Sequence, residues 1–180
     1  MQLHRWPPIA ADAVNCTRRF RLPWWSPPRN KDPIVTRVHQ LVWGAVVADP
    51  LVERAVVLES DAVAVADVAD VGAAVREVLQ TVHASVTFLG WAYMDHEWNS
   101  SMSKRPMPLL SHAYVISKEA ARVAISSTHP CWAPVDWQMR GLAVHHNVTW
   151  GTAPEHLHPG VRARREKHAM KWSGLFTQAG

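Results

Sequence analysis

From Ile34 the apolar positions Ile34, Val35, Val38, Leu41, Val42, Ala45 and Val46 recur at helical spacing, until "ADP" interrupts them near Asp49. Pro33 stands where the first turn of a helix tolerates it, and Asp32 is placed as an N-cap, so the pattern predicts a helix over 34–48. "AVVL", Ala55 to Leu58, is short, β-branched and apolar on both faces, as a strand covered by helices is. "DVGAAVREVLQTVH", Asp70 to His83, reads as a second amphipathic helix. "SVTFLG", Ser85 to Gly90, reads as a second buried strand, and its unbroken apolar character predicts that it lies beside Ala55–Leu58 at the centre of a sheet. Helix, strand, helix and strand in that order describe an α/β layered domain with a mainly parallel central sheet.

The segment from Trp91 to Leu110 contains "SSMSKRPMP" and is long, polar and broken by proline, so it reads as a mobile loop and a lid. "SHAYVIS", Ser111 to Ser117, is expected to be a strand. A helix follows in "SKEAARVAISS" with Ser117 as its N-cap, and another begins near Pro134. Residues 1–32, rich in Pro, Arg and Trp, read as an irregular arm, and residues 161–180 as a basic tail. No internal repeat is visible. A chain of 180 residues is most simply a single domain, 1–180, large enough to bury roughly 70% of the surface its unfolded form exposes.

Composition narrows the classes. No apolar run approaches the roughly 20 residues that cross a bilayer, and "MQLHRWPPIAADAV" lacks the apolar core of a secretory leader, so the expected location is the cytoplasm. With only Cys16 and Cys131 there is no disulfide framework, and the sequons at Asn15, Asn99 and Asn147 matter only in a secretory compartment. The net charge of +4 is modest, and much of the excess lies in Arg162 to Lys171. No aromatic stacking module accompanies those charges, which favours a solvated face over a nucleic-acid site. Ten tryptophans are scattered without a repeat; most are expected in the core, some as an acceptor platform. His145, His146, His156 and His158 invite a zinc reading, but their spacing is not that of a compact tetrahedral site. Gly-rich phosphate loops, Gly-x-Ser-x-Gly elbows and His-Glu-x-x-His are absent from the sequence, which disfavours kinases, serine hydrolases and zinc proteases.

One polar feature breaks the apolar pattern. In "RAVVLESDAV" the strand ends on Glu59 and Asp61, and unpaired carboxylates are costly to bury, so the pair belongs at the strand's mouth. Ligands of open α/β sheets bind beyond the carboxyl ends of strands. Residues i and i+2 of an extended segment point the same way, so Glu59 and Asp61 are expected to converge while Ser60 turns aside. Two converging carboxylates suit a hard divalent ion such as Mn²⁺ or Mg²⁺, and a solvated strand end is the alternative.

Several segments share an order with a known family. "RAVVLESDAV" resembles the acidic segment of glycosyltransferase family 25, the lipopolysaccharide and collagen-type glycosyltransferases, with "ESD" where the family usually carries "EDD". "TRVHQLVWGAVVADP" is similar to the helix that precedes it, with His39 at the family's His position. "SVTFLGW", "SHAYVISKEAAR", "PVDWQMR" and "GLFTQ" resemble later family segments, and "LHRWPPIAAD" an earlier one. The match begins after the family's first strand and helix, which supply much of its nucleotide crevice.

The resemblance implies a truncated GT-A-like, Rossmann-like domain that transfers a hexose from a nucleotide-sugar donor, a UDP-sugar, to a glycan or protein hydroxyl. It implies a cation held by Asp61 and Glu59. Asp136 in "PVDW" is the candidate base, with helix capping as its alternative role. His112 matches a position near the sugar site, with a structural hydrogen-bond role as the alternative. His39, among apolar neighbours, is expected to be a core histidine. A domain of this type that binds without catalysing is the competing functional reading.

Overall fold

The computed structural model describes residues 32–65, 70–94, 109–128, 134–157, 162–163 and 170–178. Helix α1 (Asp32–Ala48) leads to β1 (Arg54–Leu58), β2 (Ala62–Ala64) and helix α2 (Val71–Thr81). Then come β3 (Val86–Met94), β4 (Leu109–Ser117), helix α3 (Lys118–Thr128) and helix α4 (Val135–His145). Short strands β5 (Trp150–Thr152), β6 (Arg162–Ala163), β7 (Met170–Gly174) and β8 (Phe176–Gln178) complete the described chain. The helices start where local chemistry sets them. Asp70 accepts from Ala73 N–H at 2.7 Å ahead of α2, and Ser117 accepts from Ala120 N–H at 3.1 Å ahead of α3.

The main sheet has six strands in the order β1-β4-β3-β7-β6, with β5 also paired to β3. Strands β2 and β8 form a separate two-stranded sheet. The class is α/β, but the sheet is mixed rather than mainly parallel. Only β3 and β5 pair in parallel among the described strands; β1–β4, β3–β4, β3–β7 and β6–β7 are antiparallel.

The reason lies in β4. It follows β3 with no described helix between them, so it returns antiparallel and inserts between β1 and β3. Ala55–Leu58 and Ser85–Gly90 therefore run the same way, as expected of strands joined through α2, yet they are not neighbours. β1 is an edge strand of the described sheet and only Val57 in it is buried.

Strand β4 holds the centre. His112, Ala113, Tyr114, Val115 and Ile116 are all buried, so both faces of β4 are covered. Helices α1, α3 and α4 pack on one another, α3 and α4 against β4 and α1 against β1. Trp43, Phe88, Leu89, Met139 and Leu142 fill the core with them, each large apolar side chain contributing about 1.5–3 kcal/mol by leaving water. Helix α2 is tied in by Arg54, whose guanidinium donates to the Leu79 carbonyl at 2.7 Å.

Strands β3 and β4 reach further than their sequence suggests, taking residues 91–94 and 109–110 from the expected loop. The rest of that loop lies outside the described residues, as do residues 1–31. Within the expected basic tail, β7 and β8 are paired strands, drawn in by β3 and β2.

Candidate functional site

The site grows from the register between β1 and β4. Leu58 stands opposite Ala113, and the ladder continues one step further, Glu59 N–H donating to the His112 carbonyl at 2.8 Å. Glu59 and His112 are thus cross-strand neighbours whose side chains leave on one face. Tyr114, two residues along β4 and opposite Val57, shares that face.

Helix α1 lays His39 against it. His39 Nδ1 lies 2.7 Å from the Tyr114 hydroxyl, and Nε2 lies 3.0 Å from Glu59 Oε1. Trp43, one helical turn beyond His39, donates its indole N–H to the same hydroxyl at 2.9 Å. The His39 ring stacks on Tyr114 with centroids 5.7 Å apart.

The partners constrain the protons. Burial, chiefly, pushes the Tyr114 phenol far above its ordinary pKa, so the hydroxyl keeps its proton. It accepts from Trp43 and is bonded to His39 Nδ1, and His39 Nε2 faces the Glu59 carboxylate, an acceptor for its N–H. His39 is a buried, bonded histidine, 3% exposed, whereas Glu59 is 23% exposed.

Beyond Glu59 the chain does not stay extended. Ala62 N–H donates to the Glu59 carbonyl at 3.1 Å, closing a tight turn with Ser60 and Asp61 at its tip. Pleat alternation therefore does not set the directions of Glu59 and Asp61, because a strand's pleat ends where a turn begins. The turn sets their directions instead, and both carboxylates favour the protonated form of the His112 imidazole. Ser60 is exposed while Glu59 and Asp61 are half-buried.

His112 is 1% exposed, and its Nε2 lies 3.3 Å from the Phe176 carbonyl. Burial pushes its pKa below the ordinary histidine value, and the Phe176 bond and the two carboxylates pull it part of the way back. Its approach to β8 depends on Gly90. A Cβ there would stand 2.5 Å from His112 Nε2 and overlap the Phe176 carbonyl. A register irregularity in β3 falls at this glycine, between Phe88 and Ala92.

Asp136 is on a different element, in the first turn of α4, and its carboxylate accepts from Trp137 N–H at 2.9 Å. The N-cap of α4 is Pro134, without a side-chain capping bond, so the capping alternative for Asp136 is corrected. The structure bonds Glu59 to His39, sets Glu59 opposite His112 in the ladder and Asp61 in the turn that follows, and places Asp136 apart in sequence and element. His145 and His146 are exposed, His156 pairs with Glu77 at 2.6 Å, and His158 lies outside the described residues.

Tyr114 and Trp43 are the participants that sequence reasoning missed. Spacing of four residues between His39 and Trp43 was their one available signal. No metal-holding group of three or more His, Cys, Asp or Glu side chains occurs among the described residues. No described helix is long and apolar enough to cross a membrane. No family model, curated protein or solved structure matches the chain.

Proposed function

We propose that the domain is a metal-dependent glycosyltransferase of GT-A-like organisation, moving a hexose from a UDP-sugar to a hydroxyl of a glycan or protein. The observation behind this reading is the acidic turn, where Glu59 stands at the end of β1 and Asp61 in the tight turn that follows it. The ordered series of segments similar to family 25 supports it.

The donor set fits Mn²⁺ or Mg²⁺. Two carboxylates of one turn supply hard oxygens, and water and phosphate oxygens complete the shell of such an ion. Glu59 and Asp61 are the residues that would hold it. When bound, the ion neutralises the donor diphosphate and stabilises it as a leaving group. Burial lowers the His112 pKa, which disfavours a competing positive charge on that ring. Asp136 is assigned the acceptor hydroxyl's proton as that oxygen attacks the sugar.

Calorimetric titration of UDP-hexoses into the full chain, with and without Mn²⁺, tests the reading. Binding should require Mn²⁺, disappear in Asp61→Asn and persist in Ser60→Ala. Equal binding by Asp61→Asn would remove the acidic turn from the site. A second reading, a glycosyltransferase-like domain that binds without transfer, is favoured by the small number of ligands the described residues supply. Donor binding with no transfer to any acceptor would select it.

A further inference from the structure

Strand β1 is the last strand on its side of the described sheet, so one row of its main-chain groups faces away from β4. Two bonds at the ends of the ladder set the phase of that row. Glu59 N–H donates to the His112 carbonyl and Lys118 N–H to the Glu53 carbonyl, each at 2.8 Å. Ala55 and Val57 fall in step with these and bond to β4, which leaves Arg54, Val56 and Leu58 with N–H and C=O directed outward. Edge strands are ordinarily blunted by proline, lysine, a bulge or a covering element. β1 holds an unbroken register over its five residues and contains neither proline nor lysine. Its one charged side chain, Arg54, turns to α2 and donates to the Leu79 carbonyl. Leu58 is 48% exposed at the end that runs into the acidic turn.

We propose that this edge takes up an extended, basic segment of a partner protein as an added strand. Main-chain bonds to Arg54, Val56 and Leu58 hold the segment, and its side chains alternate between two faces. On one face they lie beside Val56 and Leu58 and suit apolar residues. On the other they lie along the row that starts at exposed Glu53 and ends at Glu59, and suit lysine or arginine. The charge along the edge has the matching sign, with Glu53, Glu59 and Asp61 against Arg54 alone. A second copy fits poorly. Antiparallel pairing about Val56 would set Glu53 of each copy against Glu59 of the other, and like charges directly opposite are destabilising. Resting on the transfer reading above, the inference narrows the acceptor to protein, because a strand added here runs on to the acidic turn, whereas a glycan has no main chain to join the ladder.

Hydrogen exchange on the full chain, resolved by residue with NMR, is the first test. Ala55 and Val57 N–H should exchange slowly, Val56 and Leu58 N–H fast. Slow exchange at Val56 and Leu58 in the free chain would mean that the chain itself or a second copy already fills the edge, and would overturn the inference. The probe is then the peptide Lys-Val-Lys-Val-Lys-Ser, labelled with fluorescein and followed by anisotropy. Wild type should bind it, and binding should slow exchange at Val56 and Leu58. The same peptide N-methylated along its backbone keeps its charge but cannot join a ladder, and should bind at least about tenfold more weakly. Val56→Pro removes an outward N–H and none that meets β4, so it should weaken the parent peptide similarly. The N-methylated peptide carries the test if that variant does not fold. Glu-Val-Glu-Val-Glu-Ser should bind more weakly than its basic counterpart. No binding of the basic peptide, or equal binding of its N-methylated or acidic form, overturns the inference. Titration of a UDP-hexose separates it from the transfer reading: donor binding without peptide binding keeps transfer and loses the added strand, and peptide binding without donor binding keeps the added strand and loses transfer.

Discussion

The His39 imidazole meets Glu59 Oε1 at 3.0 Å across twenty positions of sequence, while its other nitrogen meets the Tyr114 hydroxyl at 2.7 Å. One ring therefore joins the centre of the core to a partly exposed carboxylate. Stability and the geometry of the acidic turn are linked through it.

That linkage sets the expected cost of Trp43→Phe. The substitution removes the indole donor from the Tyr114 hydroxyl, a bond of 2.9 Å, and shrinks a side chain that is fully buried. Lost packing together with a weakened buried network should cost about 2–4 kcal/mol. Urea unfolding gives the number directly. A cost under about 1 kcal/mol would mean that the hydroxyl is satisfied without Trp43.

Two glycine substitutions should shift stability in opposite directions. Gly90→Ala forces a Cβ against His112 Nε2 and the Phe176 carbonyl, so β8 or the histidine must move. Overpacking of this kind costs about 1–3 kcal/mol. Gly44 lies inside α1 with nothing within 4 Å of its would-be Cβ. Gly44→Ala should therefore stabilise by about 0.5–1 kcal/mol through backbone entropy and helix propensity. The same denaturation series measures both, and a shared sign would contradict the local geometry at one of them.

The helices were legible because their apolar periodicity and caps are local. Ser117 caps α3 as the sequence predicts, since a cap involves residues three apart, and Asp70, read as the first residue of its helix, caps α2 in the same way. Strands β1, β3 and β4 were legible as apolar runs, but their order was not. Whether β4 sits outside β3 or between β1 and β3 depends on pairing that no single segment encodes. Strands β5, β7 and β8 are short and carry Gly, Trp, Lys and Ser, so they look like loop until β3 and β2 give them partners. At the site, the acidic pair was visible as a break in an apolar run. Its turn geometry was hidden because Ser60 and Asp61 suit a strand end and a turn equally well. The network behind Glu59 was hidden because Tyr114 lies 75 positions from His39.

The last expectation concerns pH and His112. Burial lowers its folded-state pKa below the ordinary value of 6.5, even though the Phe176 carbonyl, Glu59 and Asp61 all favour the protonated ring. The unfolded chain titrates near 6.5, so as pH falls it takes up this proton before the folded chain does. The contribution is therefore complete and flat above that pH and shrinks as pH falls below it, until the folded histidine also titrates. The slope from this one group cannot exceed about 1.4 kcal/mol per pH unit. His112→Gln retains an amide donor for the Phe176 carbonyl but does not titrate. Its stability should fall less steeply than wild type on lowering pH from about 7.5 to about 5. Asp61→Asn should act in the opposite sense. Without that carboxylate the folded histidine is harder to protonate, so the window of acid loss widens. Urea unfolding across the pH series reads both effects as differences from wild type, which removes the titrations common to all three proteins. Parallel curves for wild type and His112→Gln would show that His112 is protonated as easily folded as unfolded, and the burial account of its low pKa would fail.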